Sequence, residues 1–243
     1  MMSLDEKTFN ILIAEHTFSV HPLYDEVYFL CRKYLTDKPT ENEILVSVKD
    51  IEAERIKDRE IGIHSCDAYL ETLVVQRKIS ELILKYDTFL MHGAVVAYDN
   101  SAYMFTAASG TGKTTHIMKW LENLGDSYVV NGDKPLIKIT ENEAIACGTP
   151  WQGKEGLGTN CMVPLKAIVL MERGENNEIE EISFEKALSF LLRQTYIPAD
   201  IAKMKKTLTL VAKLKERVKF YKYVFNNMKD DAFEVAYSAI VDC

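Results

Sequence analysis

The sequence predicts a mixed-sheet α/β fold of α+β character, with a strand-rich middle and helices flanking it at both ends. Short apolar runs bounded by turn residues crowd between residues 89 and 172. Helical periodicity is concentrated at 67–86 and from 184 onward. Strands and helices do not alternate regularly, so a purely parallel, doubly wound sheet is not expected. The 243 residues suit one large domain, or one domain with an appendage. With 47% hydrophobic and 27% charged residues the balance is that of an ordinary globular chain.

In chain order, "FNILIAEHTFSV" (9–20) predicts a strand and "YDEVYFLCRKYL" (24–35) a short helix ended by "TDKPTEN". "EILVSV" (43–48) predicts a second strand, and "IEAERIKDREIG" is too charged to assign. Residues 1–66 are expected to form a layer packed on the core; no Gly/Ser or Pro-rich linker marks them as independent. The core domain is placed at 67–243. It opens with a helix over 67–86, capped by Asp67, in which Leu70, Leu73, Val74, Ile79, Leu82, Ile83 and Tyr86 recur at helical spacing. "FLMHGAVVAY" (89–98) and "AYMFTA" (102–107) are two strands joined by the turn "DNS". "KTTHIMKWLENLG" is a helix stopped at Gly125.

Four short strands follow: "SYVVN", "KPLIKI", "EAIACG" and "LKAIVLME" (166–172), with the long loop "TPWQGKEGLGTNCMVP" before the last. Helices are predicted at 184–196 and 199–217, broken by Pro198. "KFYKYVFN" (219–226) is a strand, and "DDAFEVAYSAIV" is a terminal helix capped by Asp230 or Asp231.

The net charge of -7 argues against nucleic-acid binding. No run approaches the roughly 18 apolar residues of a membrane span, and the polar, acidic start "MMSLDEKTFN" does not look like a signal peptide. A cytoplasmic protein with no membrane partner is therefore expected. The five cysteines include no C-x-x-C pair and fit a reducing compartment as small buried hydrophobes. His16, His21 and His64 have no metal-ligand spacing.

Chemistry concentrates at "TAASGTGKTTH" (106–116), which matches the phosphate-cradling pattern G-x-x-x-x-G-K-[ST] except that Ala107 stands for the first glycine. The substitution costs little if φ at 107 is negative. The predicted strand before it and helix after it supply the context the motif needs; the bland alternative is a Gly-rich connecting turn. Ala108, Ser109, Gly110, Thr111, Gly112, Lys113, Thr114 and Thr115 form the candidate nucleotide-binding stretch. Here backbone N–H groups and the helix N-terminus meet phosphate oxygens, Lys113 reaches the outer phosphates, and Thr114 offers a hydroxyl to Mg²⁺. Asp133, after the next apolar run, is the candidate metal carboxylate, although "NGD" is also a turn signal. His92 precedes a glycine at the start of a strand near the loop; a core histidine is the plain alternative. Residues 148–160 hold four glycines, Trp151 and Lys154. Such a loop can close over a site and bring Lys154 to a transferring phosphate. The alternative makes Lys154 solvated and Trp151 an ordinary half-buried aromatic.

Together "HGA" (92–94), "SGTGKTTH" (109–116), "NGDKP" (131–135) and "GTPWQGK" (148–154) resemble the HPr kinase/phosphorylase family and, more broadly, the phosphoenolpyruvate-carboxykinase-like P-loop core. The resemblance covers about residues 85–240. It implies ATP and Mg²⁺ as cofactors, with transfer of the γ-phosphoryl to a serine or other hydroxyl of a protein, peptide or small molecule. It implies phosphate and metal roles for Lys113 and Thr114, a carboxylate role for Asp133, His92 near the phosphates, and a homo-oligomer. One departure matters. The family carries two adjacent aspartates where this chain has Gly132-Asp133. An aspartate at 132 is expected to raise activity unless position 132 sits at positive φ. The missing carboxylate keeps open a nucleotide-binding regulator without transfer activity. A conventional small-molecule P-loop kinase is a third reading, weakened because Arg173, Arg193 and Arg217 form no cluster in the sequence.

Overall fold

The computed structural model describes residues 8–108, 110–226, 228–229 and 231–241. The chain divides into two compact units, Met1–Lys85 and Tyr86–Cys243, so the boundary falls after residue 85 and not after 66. The reason is packing: the helix starting at Asp67 lies against the helices before it.

In the first unit, β1 (Phe9–Ile13) and β2 (His16–His21) pair antiparallel, and β3 (Glu43–Leu45) joins β2 in parallel. The single strand expected over 9–20 is a hairpin. Its turn residues, Ala14 and Glu15, take left-handed φ of 49° and 69°, and neither is a residue type that announces such a turn. Helices α1 (Glu26–Cys31), α2 (Val48–Glu60) and α3 (Asp67–Leu82) complete the unit. The unassigned charged stretch is α2. Ser47 and Asp50 form a reciprocal capping box, which also ends the strand at Leu45 rather than 48. Few apolar residues mark α2 because ion pairs from Arg77 to Glu54 and from Lys78 to Asp50 tie it to α3. Asp67 is the first residue of α3, not its cap; Cys66 holds the cap position without a side-chain bond.

The second unit is built on a nine-stranded mixed sheet: β4 (Thr88–Leu90), β5 (Ala94–Tyr98), β6 (Ser101–Thr106), β7 (Tyr128–Asn131), β8 (Leu136–Ile139), β9 (Ala144–Cys147), β10 (Met162–Arg173), β11 (Glu178–Ile182) and β12 (Lys219–Phe225). Most pairings are antiparallel, but β6, β10 and β12 run parallel side by side. The long β10 joins the two halves of the sheet: its start pairs with β9 and its remainder with β6 and β12. Strand β11, "EIEEI", went unread because it is an exposed acidic edge strand with little apolar signal.

Helices α4 (Lys113–Asn123), α5 (Phe184–Gln194), α6 (Ile201–Lys213) and α7 (Ala232–Ile240) accompany the sheet. Trp120 of α4 and Ala236 of α7 share one buried cluster with Phe105, Val169 and Tyr223 of the strands. Asp231 precedes α7 but its side chain does not cap it; the carboxylate accepts a hydrogen bond from Asn177 instead. Asp230 lies outside the described residues. Cys31 and Cys147 are buried as expected, whereas Cys66 is exposed. Among the described residues, no helix is long and apolar enough to cross a membrane.

The parallel trio positions the site. Loop 107–112 leaves the C-terminal end of β6, and the same ends of β10 and β12 flank it with Arg173 and Phe225. Ligands of open α/β sheets bind at this end of parallel strands.

Candidate functional site

The Gly-rich loop connects β6 directly to α4, as the motif requires. Ala107 is buried and is not among the left-handed residues, so its methyl replaces the usual glycine without strain. Gly112 caps α4 at φ 117°, and a β-carbon there would lie 2.9 Å from the Phe225 ring. Both the conformation and the close approach demand glycine. Lys113 folds back so that its Nζ donates to the Ala107 carbonyl at 3.1 Å. Arg173, which the sequence left unassigned, reaches over from β10. Its guanidinium donates to the carbonyls of Gly110 and Thr111 and ties down the outer side of the loop. No spacing rule links residues 110 and 173; only the β6–β10 pairing does. Thr114 is half-buried and Thr115 exposed in the first turn of α4, where helical N–H groups lack intrahelical partners. Ser109 lies outside the described residues.

Next to the loop, Asn131 organises the "NGDKP" segment. Its buried side chain donates to the carbonyl and hydroxyl oxygens of Thr149 at 3.0 and 2.9 Å. Its side-chain Oδ1 accepts from the backbone N–H groups of Asp133 and Lys134 at 2.9 and 2.7 Å. This is an Asx turn, not a hairpin. It presents Asp133 to His92, whose Nε2 lies 3.1 Å from Asp133 Oδ1. His92 Nδ1 meets Gln194 Oε1 at 2.9 Å, and the His92 N–H donates to the Gln194 carbonyl at 2.7 Å. The start of β5 is tied to the phosphate loop as well, because Thr106 Oγ1 donates to the His92 carbonyl at 2.7 Å.

Burial acts on three charged groups at this mouth. Burial lowers the Lys134 ammonium below its ordinary value, with Asp133 opposing. Burial likewise lowers Lys113, helped by Lys134 and opposed by Asp133. For Asp133, burial pushes the carboxyl up. The hydrogen bond with His92 and the charges of Lys134 and Lys113 outweigh it and hold the carboxyl below its usual range. Two partly desolvated lysines thus lie in the field of the ionised Asp133 carboxylate.

The loop 148–160 is less free than its glycines imply. Lys134 N–H donates to the Trp151 carbonyl at 3.2 Å, Gly132 N–H to Leu157 at 3.0 Å, and Thr159 N–H to Val130 at 3.2 Å. Trp151 and Gln152 are buried. Residues 153–156 form an exposed tip that carries Lys154, and Thr159 and Asn160 are exposed further along the loop.

Gly132 is not at positive φ, and the obstacle to an aspartate there is space. A β-carbon would lie 2.7 Å from the Gln152 carbonyl oxygen and 3.1 Å from that of Leu157. The expected turn strain is therefore replaced by a steric exclusion.

These residues fit a nucleotide polyphosphate: a Gly-rich turn feeding a helix N-terminus, two partly desolvated ammonium groups, and a half-buried Thr114 in the first helical turn. Among the described residues, no three His, Cys, Asp or Glu side chains group as a metal cage. Mg²⁺ needs none, since it takes one or two carboxylates together with substrate phosphates.

No protein-family model and no curated protein matches the sequence. Among solved structures, the HPr(Ser) kinase/phosphatase from Coxiella burnetii is similar over 63% of this chain and 97% of its own, at 10% identity and a TM-score of 0.39.

Proposed function

We propose that the protein is an ATP- and Mg²⁺-dependent phosphotransferase that delivers the γ-phosphoryl to a hydroxyl of a protein, peptide or small molecule. The observation that carries this reading is the convergence of Lys113, Lys134, Asp133 and His92 at the mouth of the Gly-rich loop. Bound Mg²⁺–ATP would supply the activated phosphoryl group and neutralise its charge. The loop and the first turn of α4 hold the phosphates, Arg173 keeps the loop in shape, and Thr114 offers the metal its hydroxyl.

Lys113 and Lys134 supply positive charge where negative charge moves during transfer. Their partial burial makes each charge count for more than it would in water. Asp133 stays ionised at neutral pH, so it can accept a hydrogen bond from an incoming hydroxyl, and His92 fixes its orientation. Gln194 fixes His92 in turn, as a positioning residue. Lys154, on the exposed tip, is the candidate cation brought in when the tip closes.

Calorimetry with Mg²⁺–ADP tests the nucleotide site. Wild type should bind and Lys113→Ala should bind at least tenfold more weakly; equal binding by both removes the loop from the reading. With γ-labelled ATP and serine- or threonine-containing acceptor peptides, transfer should be lost in Asp133→Asn. The exclusion of a second aspartate at 132 favours one other reading, a nucleotide-binding regulator. Nucleotide binding by wild type without transfer to any acceptor would select it.

A further inference from the structure

We infer that a second cleft, at the end of the sheet opposite the phosphate loop, binds a small amphipathic anion: a carboxylate or phosphate head on an apolar body. The cleft encloses about 470 Å³, within the usual range for small-molecule sites. It opens where the parallel strands begin. Ala167 of β10 pairs with Tyr103 of β6 on one side and with Lys219 of β12 on the other, and all three residues line it. Ser101, the first residue of β6, lines it as well. The phosphate loop leaves the other end of β6, roughly 17 Å away along an extended strand. The site is therefore separate from the nucleotide mouth, and the inference does not rest on the reading above.

The lining divides by chemistry. Tyr103, Ala167, Val218, Ile240 and Val241 give it an apolar wall. Among the described lining residues, Lys166, Lys215, Arg217 and Lys219 stand against one acid, Glu216, in a chain of net charge -7. The Glu216 side chain is 81% exposed, so solvent screens its repulsion of an anion. Two of the cations are committed to the framework. Arg217 donates to the carbonyls of Thr140, Glu141 and Lys213, and Lys215 Nζ donates to Glu185 Oε1 at 2.6 Å. Lys166 and Lys219 are left for a ligand: Lys166 has no partner among the described residues, and Lys219 meets Glu181 only at 3.9 Å. Lys166 owes its place to an irregularity in the sheet. The β6–β10 register steps from Ala102↔Leu165 to Tyr103↔Ala167, which leaves Lys166 as an extra residue. A bulge of this kind re-aims a side chain out of the strand's alternation. Two ammonium groups beside an apolar wall match the two halves of an amphipathic anion.

The test reads binding at the cleft itself. Full-length protein with methyl-labelled isoleucine and valine is titrated with octyl phosphate, octanoate, octanol and inorganic phosphate, each below any micelle-forming concentration. Octyl phosphate or octanoate should move the methyl resonances of Val218, Ile240 and Val241 saturably. Octanol and inorganic phosphate at equal concentration should leave them in place. Lys166→Gln should weaken the binding at least about tenfold, the cost of one hydrogen bond to a charged group, and Lys166→Arg should keep it within about threefold. Lys166 is exposed, so both variants should fold, and methyl spectra unchanged elsewhere check that they do. Equal binding of octanol means that the charges are not read, and equal binding of inorganic phosphate means that the apolar wall is not used; either overturns the inference. So does unchanged affinity in Lys166→Gln, or no movement of these resonances with any probe.

Discussion

At the residue scale, Gly132 and Gly112 do different work with the same side chain. Gly112 combines a left-handed φ with a ring 2.9 Å from where a β-carbon would sit. Gly132 has an ordinary backbone and is confined by carbonyl oxygens. An aspartate at 132 therefore cannot restore a paired-acid arrangement. Gly132→Asp is expected to lower stability by about 1–3 kcal/mol through overpacking against backbone and to leave phosphoryl transfer no higher than wild type. Urea titration and a transfer assay check both parts, and a gain in turnover at undiminished stability would show that the loop yields.

The elements that matter most are the two loops that meet beside Asp133. The phosphate loop is braced from below by Phe225 and from its outer side by Arg173, so its shape depends on β10 and β12 as much as on its own glycines. The 148–160 loop is braced along both arms, which limits any closing motion to the four-residue tip. A cation carried by that tip can act when the tip closes while adding little to nucleotide binding beforehand. Lys154→Ala is accordingly expected to keep nucleotide affinity within twofold. Its maximal transfer rate should fall about a hundredfold, a typical cost of removing one preorganised charge from a transition state. Many-fold weaker binding with a normal rate at saturation would make Lys154 a ground-state ligand instead.

For the molecule as a whole, acid stability depends on a residue of the motif that does not touch the site. His116 sits in the core among the rings of Phe105, Tyr223 and Phe225 and accepts a hydrogen bond from Trp120 Nε1 at 3.1 Å. With Nε2 accepting, the ring is neutral and carries its hydrogen on Nδ1, which has no hydrogen-bond partner among the described residues. Burial, aided by the charge of Lys119, pushes its pKa down to about 3 from 6.5. Between those values the unfolded chain binds a proton that the folded chain refuses. The contribution of His116 is therefore complete above about pH 6.5. It is lost as pH falls, at about 1.4 kcal/mol per pH unit. Urea unfolding at several pH values between about 7 and 4 should show this slope in wild type and a shallower one in His116→Phe, whatever that variant's stability at neutral pH. Equal slopes would place the acid sensitivity elsewhere.

What the sequence determined by itself is what local chemistry dictates: the strand–loop–helix around Lys113, the β5–β6 hairpin at Asp99-Asn100, most core strands and helices, and Lys113, Thr114, Asp133 and His92 as the candidates to examine. Each is legible because its signal lies within a few residues: a glycine spacing, a turn pair, an apolar period. Local signal failed where the chain departed from those habits, at the Ala14-Glu15 turn, the charged helix α2 and the acidic edge strand β11. Only the tertiary structure decided the rest. Arg173 meets Gly110 and Thr111 because β6 and β10 pair in parallel, and Gln194 orients His92 because the end of α5 comes up against the start of β5. The backbone carbonyls of Gln152 and Leu157 fill the space beside Gly132. These are long-range contacts between segments that carry no mutual signature in the sequence. Whether a carboxylate can stand at a given point depends on what the rest of the chain has already placed there.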